Sequence, residues 1–232
     1  DLEPTEFVFD APAAEIPPSA ELDNLFARAA DATAQGDWKL AIDCLQRVMD
    51  DPVGGLVEVG GSNAPLVRYE SAHRRALREL GTLPPDGLAA YRLLHDGRAR
   101  RLIDTARASG DPAPLREIVE RYLLTSYGDD ACDLLSSWAL DEGRPREAVM
   151  ALSSLREFVP EYREGPGPRD GIPPQRLAAK LACARVMLGQ PAEARRRAER
   201  AAPADAWMAQ LAELGPAESA DAAQTGGWLL SG

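Results

Sequence analysis

The chain has 232 residues, of which 45% are hydrophobic and 27% are charged, a composition typical of a globular protein that can bury a core. Acidic residues outnumber basic ones by 37 to 26, and the resulting net charge of −11 argues against broad binding to nucleic acid or to an anionic membrane. No apolar run approaches the ~20 residues that a membrane-spanning helix requires. We therefore expect no membrane span and no nucleic-acid partner.

The first 52 residues predict an acidic extended segment followed by two helices. Residues 1–18 are acidic, contain four prolines and lack the basic and apolar regions of a signal peptide. From Ser19 apolar residues recur at spacings of three and four, which indicates a helix with one buried stripe. Gly36-Asp37 interrupts this pattern, and a second helix ends before Pro52. Because the turn is short, we expect the two helices to pack antiparallel.

Residues 55–68 predict a small β-hairpin. Apolar residues at 56, 57, 59, 66 and 67 flank the sequence Gly60-Gly61-Ser62-Asn63, which favours a turn. These glycines do not fit a phosphate-binding loop, since neither GxxxxGK[ST] nor GxGxxG is present.

Helices are predicted for most of the remaining chain, beginning at Tyr69. Glycine- or proline-containing turns divide them at 83–87, 96–97, 110–112, 128–129 and 143–145. In the helix predicted after the turn at 83–87, the apolar residues are Leu88, Ala89, Tyr91, Leu93 and Leu94. Residues 160–174 predict an irregular loop, and two helices follow at about 174–188 and 191–202. Residues 203–232 predict a short helix and a linker toward a downstream domain.

Three segments form an internal repeat that begins at a glycine. They start at Gly36, Gly143 and Gly189, each has an alanine five residues later, and each ends at a proline. A weaker fourth copy starts at Gly110. This pattern resembles the second half of a tetratricopeptide repeat, in which glycine allows a tight turn and a small residue lets two helices approach closely. The aromatic residue, leucine and glycine of that repeat's first helix are missing here.

The predicted fold class is accordingly all-α: an irregular tetratricopeptide-like array of antiparallel helical hairpins (an α-α superhelix) with one small β-hairpin near 55–68. Three parts are expected: an extended acidic segment at 1–18, a helical domain at 19–202, and the segment 203–232.

Two longer stretches resemble a more specific family. They are residues 83–102, beginning LPPDGLAAYR, and residues 118–143, beginning IVERYLLTS. Both are similar to the helical N-terminal region of large bacterial proteins that carry a pyrroloquinoline-quinone-type β-propeller, like that of outer-membrane assembly factors. The closing GWLLSG resembles the opening of such a propeller. The resemblance implies a downstream propeller as partner, in the same chain or in another protein, and an extracytoplasmic or cell-envelope location, with the cytoplasm left open.

The sequence contains no recognisable catalytic set. His95-Asp96 are adjacent and do not face one another on a helix, so His95 is expected at a helix C-terminus, where the helix dipole favours a histidine. Two distant histidines and three scattered cysteines do not form a zinc site. GxSxG and HExxH are absent. We predict no catalytic residue, no cofactor and no metal.

Charge is unevenly distributed along the chain, and this suggests where contacts form. Residues 1–64 carry 13 acids and 3 bases, whereas residues 65–128 carry 8 acids and 11 bases. The asymmetry is consistent either with solvated helix faces or with an intramolecular or partner contact between the acidic first third and the arginine-rich middle. The predicted partner-contact residues are Arg74, Arg75, Arg78, Arg98 and Arg101.

The function predicted from these observations is a non-enzymatic helical-repeat scaffold for protein–protein or interdomain contacts. One alternative is a small-ligand-binding or enzymatic domain with a pocket near Tyr91, His95 and Tyr122. A deep polar pocket would favour this alternative, and burial against leucines would oppose it. A regulatory domain of a transcription factor is a third possibility.

Overall fold

The computed structural model describes residues 19–59, 68–165 and 171–192. Within these ranges the chain is mostly helical, with one small antiparallel two-stranded sheet, and the predicted all-α fold class with a small β-hairpin is confirmed. The elements are α1 (Ala20–Gln35), α2 (Trp38–Asp50), β1 (Leu56–Val59), β2 (Arg68–Ser71), α3 (Ala72–Gly81), α4 (Pro85–Ser109), α5 (Ala113–Arg121), α6 (Gly128–Asp141), α7 (Pro145–Phe158), α8 (Pro160–Glu164) and α9 (Pro174–Met187).

The first helical pair has the predicted boundaries because its ends are capped. The Ser19 hydroxyl accepts a hydrogen bond from the Leu22 amide and begins α1. Gly36 ends α1 with a φ of 73°, a conformation that glycine adopts without steric cost. Asp37 then caps α2 by accepting a hydrogen bond of 3.1 Å from the amide of Leu40.

The repeat glycines share one backbone conformation. Gly36, Gly110, Gly143 and Gly189 have φ angles of 73°, 72°, 71° and 70°, and each follows a helix. The residues five positions after the first three of these glycines are fully buried where a new helix begins: Ala41, Leu115 and Ala148. The turns at Gly36, Gly110 and Gly143 are therefore tight and lead into closely packed helices, and the residue five positions after Gly189 lies outside the described ranges.

The β-hairpin ends later than expected. β1 and β2 pair antiparallel from Leu56 with Ser71 to Val59 with Arg68, and residues 60–67 lie outside the described ranges. The amide of Ala72 also donates to the carbonyl of Gly55, which continues the pairing. Tyr69, predicted to start a helix, is therefore a strand residue.

α4 is longer than expected. The predicted break at Asp96-Gly97 is wrong, because one helix of 25 residues runs through both positions to Ser109. A glycine inside a helix costs about 1 kcal/mol, and buried residues on both sides of Gly97, such as Tyr91 and Ile103, offset that cost.

The region predicted as one irregular loop, 160–174, contains the short helix α8. Its Tyr162 hydroxyl donates to Asp129 at 2.8 Å and accepts from the amide of Ile172 at 2.7 Å. These hydrogen bonds attach the segment to α6. Most of the helix predicted at 191–202 lies outside the described residues, as do the segments 1–18 and 203–232.

One hydrophobic cluster runs from α1 to α9. α2 packs against α1, α3, α4 and α5, and α7 packs against α6, α8 and α9. The two groups meet where α5 packs against α6 and where α3 contacts α7, with Gly81 against the Phe158 carbonyl oxygen. Among the helices that the structure describes, none is long and apolar enough to cross a membrane.

Candidate interaction surface

The predicted partner-contact arginines lie on two helices, α3 and α4, and those of α3 are engaged within the chain. Arg74 forms an ion pair with Glu157 on α7, and its guanidinium lies 5.3 Å from the ring centre of Phe158. The Arg75 guanidinium is 2.9 Å from the Glu79 carboxylate. Both contacts hold α3 in place, and one of them crosses to another helix.

Arg75 and Arg78 also join α3 to the elements that precede it. The Arg75 guanidinium lies 4.3 Å from the ring centre of Phe26 on α1, a cation–π arrangement. Arg78 donates two hydrogen bonds to Glu70 on β2, at 2.7 and 3.2 Å. These bonds to the Glu70 carboxylate raise the pKa of Arg78. The α3 arginines are therefore already bound to residues of the same chain.

The two arginines on α4 differ from each other. Arg98 is 2.7 Å from Glu117 on α5 and lies 5.6 Å from the ring centre of Tyr122. Arg101 is exposed and, in the described ranges, forms no ion pair. The neighbouring Arg100 is likewise exposed, with no ion pair to any described residue. Among the predicted contact arginines, Arg101 on α4 is therefore the one that the described residues leave free to contact a partner.

Apolar side chains accompany these arginines on α4. Leu93 is 87% exposed and Leu94 is 46% exposed, although the sequence grouped them with the buried Leu88 and Tyr91. We define the α4 outer face by the residues Leu93, Leu94, Gly97, Arg100 and Arg101. Helical geometry separates Leu93 from the buried residues, since it lies two residues, or ~200°, away from Tyr91 around the helix.

Tyr91, His95 and Tyr122 do come together, as the alternative hypothesis expected, but as a packed ring cluster. The His95 ring centre lies 4.8 Å from that of Tyr91 and 5.6 Å from that of Tyr122. Tyr91 is fully buried, and its hydroxyl donates to the carbonyl of Arg121 at 3.0 Å. The main cavities among the described residues are lined by other side chains. A ligand site at this cluster stays a prediction.

His95 lies in the middle of α4, so its expected place at a helix C-terminus is wrong; the helix continues through Gly97. Burial lowers the pKa of His95, and the carboxylates of Asp50, Asp43 and Asp96 partly oppose that effect. Near neutral pH the ring is therefore neutral and packs as an aromatic group.

A polar cleft of about 240 Å³ between α4, α6 and α8 was missed by sequence reasoning. Arg92 lies in it, 2.6 Å from Glu161, and the Tyr162 hydroxyl bonds to Asp129. Burial raises the pKa of Tyr162, and so does the hydrogen bond to Asp129. Arg92 thus pairs with Glu161 and Tyr162 with Asp129, and both pairs connect α8 to a neighbouring helix. No sequence signal marked the cleft, because its parts come from α4, α6 and a segment predicted as a loop.

Within the described residues, no group of three or more histidine, cysteine, aspartate or glutamate side chains is arranged to hold a metal ion. Comparison of the chain with protein-family models, with curated proteins and with solved structures gives no match.

Proposed function

We propose that this chain is a non-enzymatic helical scaffold that mediates protein–protein or interdomain contacts through the α4 outer face. The observation that carries the proposal is Leu93, a large apolar side chain that is 87% exposed beside a second exposed leucine. Exposed apolar side chains that cluster next to charged ones are typical of interaction sites. Arg100 and Arg101 supply the charge.

The arrangement of helices supports the same function. Successive antiparallel helices linked by left-handed glycine turns at Gly36, Gly110 and Gly143 are typical of repeat proteins that bind other proteins. Because the α3 arginines already form ion pairs within the chain, we assign the contact surface to α4. In this proposal the fold is tetratricopeptide-like, and the partner is a pyrroloquinoline-quinone-type propeller at the cell envelope, as the family resemblance of residues 83–102 and 118–143 implies.

The test is a titration of this chain with that propeller. The reading frame that encodes the chain is expected to continue into propeller repeats, and the isolated propeller should bind the chain with micromolar or tighter affinity in calorimetry. Leu93→Asp should weaken binding by about tenfold or more, because it places a charge in the apolar centre of the contact.

Met150→Asp is the matched control. Met150 is 71% exposed on α7, four residues after the exposed Arg146, so it provides a similar side chain away from α4. This variant should bind as the parent does. Absence of binding, or equal losses in Leu93→Asp and Met150→Asp, would contradict the proposed surface.

A further inference from the structure

The α4 outer face runs from two leucines into the basic second half of its helix. Beyond Gly97 the helix carries four arginines and one aspartate, which are Arg98, Arg100, Arg101, Asp104 and Arg107. Among the described residues, Arg98 is the one of these arginines that forms an ion pair. A partner that fits this surface therefore combines negative charge with bulky apolar side chains.

Residues 1–18 of the same chain have this chemistry. They contain five carboxylate side chains and no lysine or arginine, and Phe7-Val8-Phe9 lies between Glu6 and Asp10. The segment is outside the described residues, and the structure begins at Ser19, the cap of α1.

A series of contacts leads from the point where this segment joins the fold to α4. Ser19 and Asp50 line one cleft, and the Asp50 carboxylate is 3.8 Å from the guanidinium of Arg121. The carbonyl of Arg121 in turn accepts the hydrogen bond from Tyr91 on α4. The ten residues from Phe9 to Ser19 can span up to ~33 Å, which is about the diameter of a small domain.

We propose that the α4 outer face binds the acidic segment 1–18 of its own chain, with Phe7 and Phe9 against Leu93 and Leu94 and with the flanking carboxylates against Arg100 and Arg101. This inference rests on the proposed function, because both assign the α4 outer face as a binding surface. It makes the segment an internal competitor that a partner must displace. Attachment to the same chain raises the local concentration of the segment, so modest contacts are sufficient.

The experiment places a photo-crosslinking residue in the full chain by Phe9→p-benzoylphenylalanine. After irradiation, the crosslink should be in the monomer band and should map to the tryptic peptide of residues 93–98. The double variant Arg100→Glu and Arg101→Glu should reduce its yield at least about fivefold, because attraction becomes repulsion, and 1 M salt should reduce it as well.

The double variant Arg146→Glu and Arg156→Glu is the matched control, since both arginines are exposed on α7 without an ion pair in the described ranges. It should leave the yield unchanged, and circular dichroism should show both double variants folded. Crosslinks elsewhere in the chain, crosslinks only in a dimer band, or a yield insensitive to the α4 charges would overturn the proposal. No partner is present in this assay, so its failure leaves the propeller titration standing as a separate test.

Discussion

Gly81 shows how a single missing side chain determines the fit between distant helices. A β-carbon at this position of α3 would overlap the carbonyl oxygen of Phe158 in α7. Gly81→Ala is therefore expected to lower the free energy of unfolding by about 2–3 kcal/mol, since backbone atoms must move to relieve the overlap. Urea denaturation followed by circular dichroism measures this change.

Gly97→Ala is expected to change the free energy of unfolding in the opposite direction. Gly97 is exposed inside α4, and an added β-carbon would approach only the end of Arg101. The free energy of unfolding should rise by about 0.5–1 kcal/mol, because alanine loses less conformational freedom than glycine in a helix. A destabilised Gly97→Ala variant would contradict the continuous helix at this point.

His95 is expected to make the stability of the fold depend on pH. Its pKa in the folded chain lies below the ordinary value of 6.5, so the unfolded chain binds the proton more readily. The contribution of His95 is therefore fully present above pH ~6.5 and is lost as the pH falls from there through the lower pKa of the folded chain. The groups that surround the ring are Tyr91 on α4 and Tyr122 after α5, with the carboxylates of Asp43 and Asp50 on α2.

His95→Phe keeps the ring and removes the titration. Unfolding free energies measured between pH 8 and pH 5.5 should fall less steeply in this variant than in the parent. His73, whose pKa burial also lowers, keeps part of the dependence. An identical slope in parent and variant would show that His95 is accessible to the proton in the folded chain.

At the level of elements, Lys180 attaches α9 to α6. Its ammonium is 2.6 Å from the Asp133 carboxylate and 2.7 Å from the Ser137 hydroxyl, and its side chain is only 13% exposed. Lys180→Met should lower the free energy of unfolding by about 3 kcal/mol, because Asp133 loses its buried partner. Hydrogen exchange should then become faster across α9 than across α1.

Arg176→Met is the control for this expectation. Arg176 contacts the same carboxylate at 2.6 Å, but its side chain is 56% exposed. Water replaces an exposed partner readily, so a change below about 1 kcal/mol is expected. Equal losses in the two variants would show that burial does not distinguish these two ion pairs.

Some of the helices and turns could be predicted from the sequence, and others could not. The turns at Gly36 and Gly143 were predictable because a left-handed residue and a buried alanine leave a local pattern. The continuation of α4 through Gly97 was not, since it depends on packing on both sides of the glycine. α8 was hidden because Tyr162 finds its partner Asp129 on another helix. The exposure of Leu93 was available from the helical phase of its neighbours.

For the whole molecule, the continuous core predicts cooperative unfolding. One cluster connects α1 to α9, and Trp38 and Trp138 pack against it from two different helices. Fluorescence of the single variants Trp38→Phe and Trp138→Phe should therefore give urea midpoints that coincide with that of circular dichroism. Separate midpoints would indicate that the helical pairs unfold one by one, as in long repeat arrays.

The contact between α3 and α7 has a mechanical consequence. An open array of helical hairpins behaves like a spring, because each unit contacts only its neighbours and small rotations add up along its length. Here the contact at Gly81, together with the ion pair from Arg74 to Glu157, links α3 directly to α7, four helices further along the chain. A force applied between the α1–α2 pair and the α6–α7 pair is therefore carried by this contact as well as by the packing of α5 on α6, and the helical array is expected to resist stretching.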